Sequence, residues 1–92
     1  MEQLSAFYEA IAGDARIGTT HISLYMALLH EARELLTMGS AFEVSRDRVM
    51  QQARISRKTY NKCMKELKEY GFIKYEPSSN PSRQSRVYLR KL

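Results

Sequence analysis

The sequence predicts a mainly α-helical domain that closes in a small β-hairpin. Three observations carry this. Leu4, Phe7, Tyr8 and Ile11, and again Tyr60, Cys63, Met64 and Leu67, repeat the i, i+3, i+4, i+7 spacing of one helical stripe. Residues 72–76 and 85–89 are instead rich in aromatic and β-branched side chains, as strands are. Pro77-Ser78-Ser79-Asn80-Pro81-Ser82 between them is a run of turn formers, long for a hairpin tip.

The elements follow in order. The first stripe predicts a helix within residues 3–12, ended by Gly13-Asp14, and a short loop to Gly18. Thr19 or Thr20 can cap a second helix. Its apolar residues, Ile22, Leu24, Tyr25, Leu28, Leu29, Ala32, Leu35 and Leu36, form a stripe wide enough to meet two neighbours. That helix is expected to stop near Met38-Gly39, where glycine takes the left-handed cap. Ala41-Phe42-Glu43-Val44 reads as a short strand. Ser45 is a good N-cap, with Asp47 in the first turn where the helix dipole favours an anion. Val49, Met50 and Ala53 face inward in this short helix. Arg54-Ile55 make a tight link, Ser56 caps the next helix from Arg57 to Tyr70, and Gly71 ends it. Tyr75 and Tyr88 are placed to pair across the hairpin.

At 92 residues the chain forms one domain, with 1–18 an N-terminal helix and loop and 19–92 the core. No apolar run approaches the roughly 20 residues a membrane span needs. The first residues carry an acid and no basic stretch, so no secretory signal is expected. A single cysteine, Cys63, supports neither a disulfide framework nor a cysteine-rich zinc site. A reduced, cytoplasmic protein is expected.

The net charge of +5 hides an asymmetry. Residues 1–45 hold two Arg against six acids, and residues 46–92 hold thirteen Lys or Arg against four acids. A half-chain at +9 beside one at −4 points to a polyanion partner, most simply nucleic acid, and charge alone leaves open a solvated face kept soluble by lysine.

Two helices joined by a tight turn, the second one basic, form a helix-turn-helix pattern, and a hairpin directly after it makes a winged variant. The run Ile55-Ser56-Arg57-Lys58-Thr59-Tyr60-Asn61-Lys62-Cys63-Met64-Lys65-Glu66-Leu67-Lys68-Glu69-Tyr70-Gly71-Phe72-Ile73 resembles the recognition helix and first wing strand of bacterial winged-helix regulators of the GntR type. Ser45 to Ala53 resembles the helix that precedes it. The resemblance covers roughly half the chain. It departs at Asp47, where that pattern often has a DNA-contacting arginine; Arg46 and Arg48 flank the position. As a whole the chain looks more like the small stand-alone winged-helix proteins of plasmids, phages and conjugative elements. The resemblance implies a winged helix-turn-helix: a three-helix core, an extra N-terminal helix and a C-terminal β-wing.

The residues support the same reading unaided. On a wheel of about 100° per residue, Lys58, Asn61, Lys62 and Lys65 fall opposite the apolar stripe. The first two turns carry no acid; Glu66 and Glu69 come later. Arg pairs with guanine and Asn with adenine through two hydrogen bonds, so Arg57, Lys58 and Asn61 are the candidates for base contact. Ser56, Thr59, Lys62 and Lys65 are candidates for phosphate, with Arg46, Arg48 and Arg54 on the near strand and Arg83 and Arg86 in the wing. Tyr60 lies on the apolar stripe and belongs to the core. Leu4, Phe7, Tyr8 and Ile11 form either a dimer contact or the packing of the first helix on the second.

Other chemistry is thin. His30 and Glu31 lack the second histidine of a zinc-protease motif, His21 has no evident partner, and Cys63 lies on the buried stripe. The four glycines, at 13, 18, 39 and 71, form no phosphate loop. Neither an enzyme nor a cofactor nor a small-molecule effector is expected. The leading expectation is sequence-specific binding of double-stranded DNA, as a small nucleoid-associated regulator or an excision or replication factor of a mobile element. The alternative is a docking module whose basic face meets an acidic protein.

Overall fold

The computed structural model describes residues 2–34, 41–77, 85–90 and 92. It is mainly helical: α1 (Glu2–Ile11), α2 (Thr19–Glu34), β1 (Phe42–Val44), α3 (Arg46–Ala53), α4 (Arg57–Glu69), β2 (Ile73–Glu76) and β3 (Ser85–Leu89). The three strands form one antiparallel sheet in the order β1-β3-β2. The expected stop of α2 near Gly39, its last leucines Leu35 and Leu36, and the hairpin tip with Arg83 lie outside the described residues.

Alternation along the strands decides which face of the sheet meets the helices. Phe42 and Val44 of β1, Ile73 of β2, and Val87 and Leu89 of β3 are buried, while Glu43, Lys74, Glu76 and Arg86 point away and are exposed. The inner face closes on α2 and α4. Tyr25, Leu24 and Leu28 of α2 and Tyr60, Met64 and Leu67 of α4 are almost wholly buried, with Val49 and Ala53 of α3 beside them. Burial pushes the pKa of the Tyr60 phenol well above its usual range, so it is a neutral core group.

α1 belongs to this core. The Phe7 ring lies flat on Tyr25, centroids 3.8 Å apart, and edge-on to Phe72 at 5.6 Å. Gln3 donates from Nε2 to the Tyr25 hydroxyl at 2.7 Å and to the Arg90 carbonyl at 2.8 Å, tying α1 to the residue after β3. Phe7 therefore drops out of the proposed dimer contact: it is fully buried within its own chain. Leu4 and Ile11 pack partly on the same core, and Tyr8 alone of the four stands half exposed.

Two further corrections concern local chemistry. Neither threonine caps α2: both lie inside it, and Gly18 precedes it. The Gly18 N–H instead donates to Nδ1 of His21 at 3.0 Å, the reach-back that a Glu or Gln makes in a capping box. Tyr75 and Tyr88 are not cross-strand partners. The register sets Tyr75 opposite Val87 and Tyr88 opposite Lys74, so Tyr75 shares the inner face with Val87 while Lys74 lies over the Tyr88 ring at 5.6 Å.

Candidate nucleic-acid interface

The connection between α3 and α4 sets the angle at which α4 leaves the core. Ser45 caps α3 by accepting from the Arg48 N–H, at 3.4 Å. α3 then ends on Arg54, whose φ of 60° puts an L-residue in the left-handed region. The Ile55 N–H turns back to the Met50 carbonyl at 3.2 Å, satisfying an end carbonyl of α3. Two residues later Ser56 caps α4. Its Oγ accepts from the Thr59 N–H at 3.2 Å and donates to the Thr59 hydroxyl at 3.1 Å. Ser23 of α2 pins this turn by donating to the Ala53 carbonyl at 2.6 Å.

α4 is two-sided. Tyr60, Cys63, Met64 and Leu67 are buried, and Arg57, Lys58, Asn61, Lys62 and Lys65 are all exposed. Arg57 and Lys58 occupy the first turn, which holds no acid. Cations there oppose the helix dipole, whose positive end lies at the N-terminus; each costs about 0.3–1 kcal/mol. A helix shaped for stability alone places acids at that end. The C-terminal end closes on Gly71, with φ of 87°, the Gly71 N–H on the Lys68 carbonyl and the Phe72 N–H on the Leu67 carbonyl.

Around α4 the other candidates divide. Arg54 is exposed at the turn, and Arg46 is exposed, with a long contact of 4.0 Å to Asp47. Arg48 is not a free cation: its Nη2 lies 3.1 Å from Oε2 of the buried Glu31, while most of its side chain stays in solvent. Of Ser56 and Thr59, both expected at phosphate, Ser56 donates its hydroxyl proton to the Thr59 hydroxyl and accepts from the Thr59 N–H, whereas Thr59 Oγ1 accepts that bond and keeps its own proton to donate. Arg86 stands on the outer face of the sheet, opposite Glu43 in β1 and Glu76 in β2. With Lys74, Glu76, Tyr88 and Ala41 it lines an open groove in which cations and a carboxylate alternate.

Sequence reasoning missed the environment of His21. Its Nε2 lies 2.9 Å from Oε1 of Glu66, on α4. Cys63 is close by, its thiol donating to the Thr20 hydroxyl at 3.5 Å, and one donor atom each from His21, Cys63 and Glu66 falls within 4.8 Å of the others. The three have the chemistry of a zinc ligand set. The proton inventory argues otherwise. Nδ1 accepts from the Gly18 N–H, so the ring proton sits on Nε2 and is given to Glu66. A metal on Nε2 drives that proton to Nδ1, against another donor, whereas ligating histidines present their second N–H to an acceptor. The trio is best described as a clamp between the start of α2 and the middle of α4. His30 is exposed and the adjacent Glu31 is buried, so these two form no common site.

No family model, curated protein or solved structure matches the chain. Among the described residues no helix is long and apolar enough to cross a membrane.

Proposed function

We propose that the chain is a winged helix-turn-helix protein that binds double-stranded DNA, with α4 entering the major groove. In this reading α3 and α4 are the helix-turn-helix, and β2 and β3 are the strands of the wing. Arg57, Lys58 and Asn61 face base edges; Lys62 and Lys65 lie along the phosphates. Arg46 and Arg54 meet the near strand, and the wing lies on flanking backbone.

The observation that carries this reading is the exposed face of α4. Its first two turns present three cations and an asparagine with no acid among them, at the helix end where cations are least stable. Local stability is given up there, which is what a site that receives phosphate requires. The apolar face opposite fixes the presentation, because rotating α4 would expose Tyr60, Met64 and Leu67. The protein acts as a reader of DNA, with no reaction of its own, as a small regulator or a mobile-element accessory factor in the nucleoid.

Selection from a random duplex pool, followed by binding of variants to the selected site, tests this. Arg57→Ala and Asn61→Ala are each expected to weaken binding to that site at least tenfold, the lower part of the range for a bidentate base contact. An interaction module for an acidic protein would instead select no site, and the two variants would leave any weak duplex affinity unchanged.

A further inference from the structure

We propose that Glu31 is a positioning residue for DNA binding: it aims Arg48 at a backbone phosphate. The assignment rests on the reading of the chain as a duplex binder and extends it to a residue of opposite charge, outside the helix-turn-helix. Glu31 lies on α2 and is 4% exposed. Its Oε2 receives Arg48 Nη2 at 3.1 Å and Gln52 Nε2 at 3.5 Å, two side chains one turn apart on α3. A buried carboxylate is costly and is kept only where it is paired. Here the pairing is lopsided: the acid is 5% exposed and the arginine side chain 61%. The guanidinium has five N–H donors in a rigid fork, and Glu31 occupies one side of it. The rest of the fork faces solvent, since the Arg48 side chain is mostly exposed. A guanidinium already held on one side loses less freedom when the other side meets a phosphate, so the cost of ordering it is met before DNA arrives.

The test uses a sign that plain electrostatics cannot give. Glu31→Gln removes a negative charge, so a purely electrostatic role for Glu31 makes the variant bind duplex more tightly. The positioning role makes it bind about threefold to tenfold more weakly, the scale of one charge-assisted hydrogen bond partly lost. Arg48→Ala is expected to lose about tenfold and to flatten the salt dependence by about 0.9 in log–log slope. The Glu31→Gln, Arg48→Ala double variant should be no weaker than Arg48→Ala alone. Thermal melts of each variant confine the comparison to folded protein. Should Glu31→Gln fail to fold, Arg48→Lys takes its place: it keeps the charge, and with it the salt slope, but not the fork that can meet Glu31 and a phosphate together, and is expected to bind about threefold more weakly than the wild type. Equal or tighter binding by Glu31→Gln, multiplying losses in the double variant, or wild-type binding by Arg48→Lys would overturn the assignment while leaving the DNA reading intact. Absence of salt-dependent binding by the wild-type chain would overturn that reading, and this assignment with it.

Discussion

Phe7 and Tyr25 lie face to face, their rings 2° from parallel and 3.8 Å apart. The contact makes the N-terminal helix a structural part of the domain, since Phe7 is fully buried and also meets Phe72 edge-on. Phe7→Ala is therefore expected to destabilise the fold by about 3–5 kcal/mol, as large aromatic truncations in cores do. Duplex affinity per folded molecule should not change. Chemical denaturation together with binding corrected for folded fraction checks both parts.

Lys58 sets stability against binding. Lys58→Glu replaces a cation with an anion in the first turn of α4, where the dipole favours the anion. The variant is expected to gain about 0.5–1 kcal/mol in unfolding free energy. It is expected to lose duplex binding by more than tenfold, because an acid then faces the phosphates. A gain in stability with unaltered binding would remove Lys58 from the interface.

Arg54 carries a similar conflict. Its left-handed backbone costs an L-residue about 1–2 kcal/mol, which glycine avoids. Arg54→Gly is expected to raise stability by about 0.5–1 kcal/mol once glycine's larger unfolded-state entropy is counted. Loss of the cation should lower duplex affinity for all sequences alike and reduce the salt slope by about 0.9. Melting curves and salt series on the same preparation measure the two effects.

The loop between α1 and α2 gives a pH signature. The hydrogen bond from the Arg16 guanidinium, helped by the Arg16 N–H, holds the Asp14 carboxyl at about 2, well below its usual 3.8. A pKa lowered by folding contributes stability above the unfolded value and loses it as pH falls through the folded one. The Asp14 contribution is thus complete above about pH 4 and disappears on acidification toward pH 2. Asp14→Asn should flatten the acid limb of the stability profile in that window and leave it unchanged in shape above it. The Arg16 side chain also lies over the Tyr70 ring at 4.3 Å, so the same loop rests on the end of α4.

What the sequence made legible, and what it did not, follows from the range of the interactions. α4 was readable because its stripe, its Ser56 cap and its terminal Gly71 are all local signals within one helix. The exposed cationic face followed from the same wheel. The His21–Glu66 clamp was not readable: the two residues are 45 positions apart, and they meet only because of how α2 crosses α4. Arg54 was hidden because glycine is the usual mark of a left-handed turn, and here an arginine takes that conformation, with the Ile55 N–H bonded back to the Met50 carbonyl. The pairing of β1 with β3, and of Tyr75 with Val87, depends on register across the whole chain. The burial of Phe7 within its own chain depends on where Tyr25 lies, 18 positions on, which the α1 stripe alone does not show. Arg48 was legible as a cation, and its partner on α2 was not.

The central claim is that α4 and its flanking arginines meet a duplex backbone, and the salt dependence of binding tests it most directly. The measurement is fluorescence anisotropy of the wild-type chain on a random-sequence duplex across a salt series. Micromolar-range affinity at low salt is expected, with log K falling against log salt at a slope of about −4 to −6, as five to seven neutralised phosphates require. A flat response, or none, from a folded sample would contradict the claim and direct the search to an acidic protein partner.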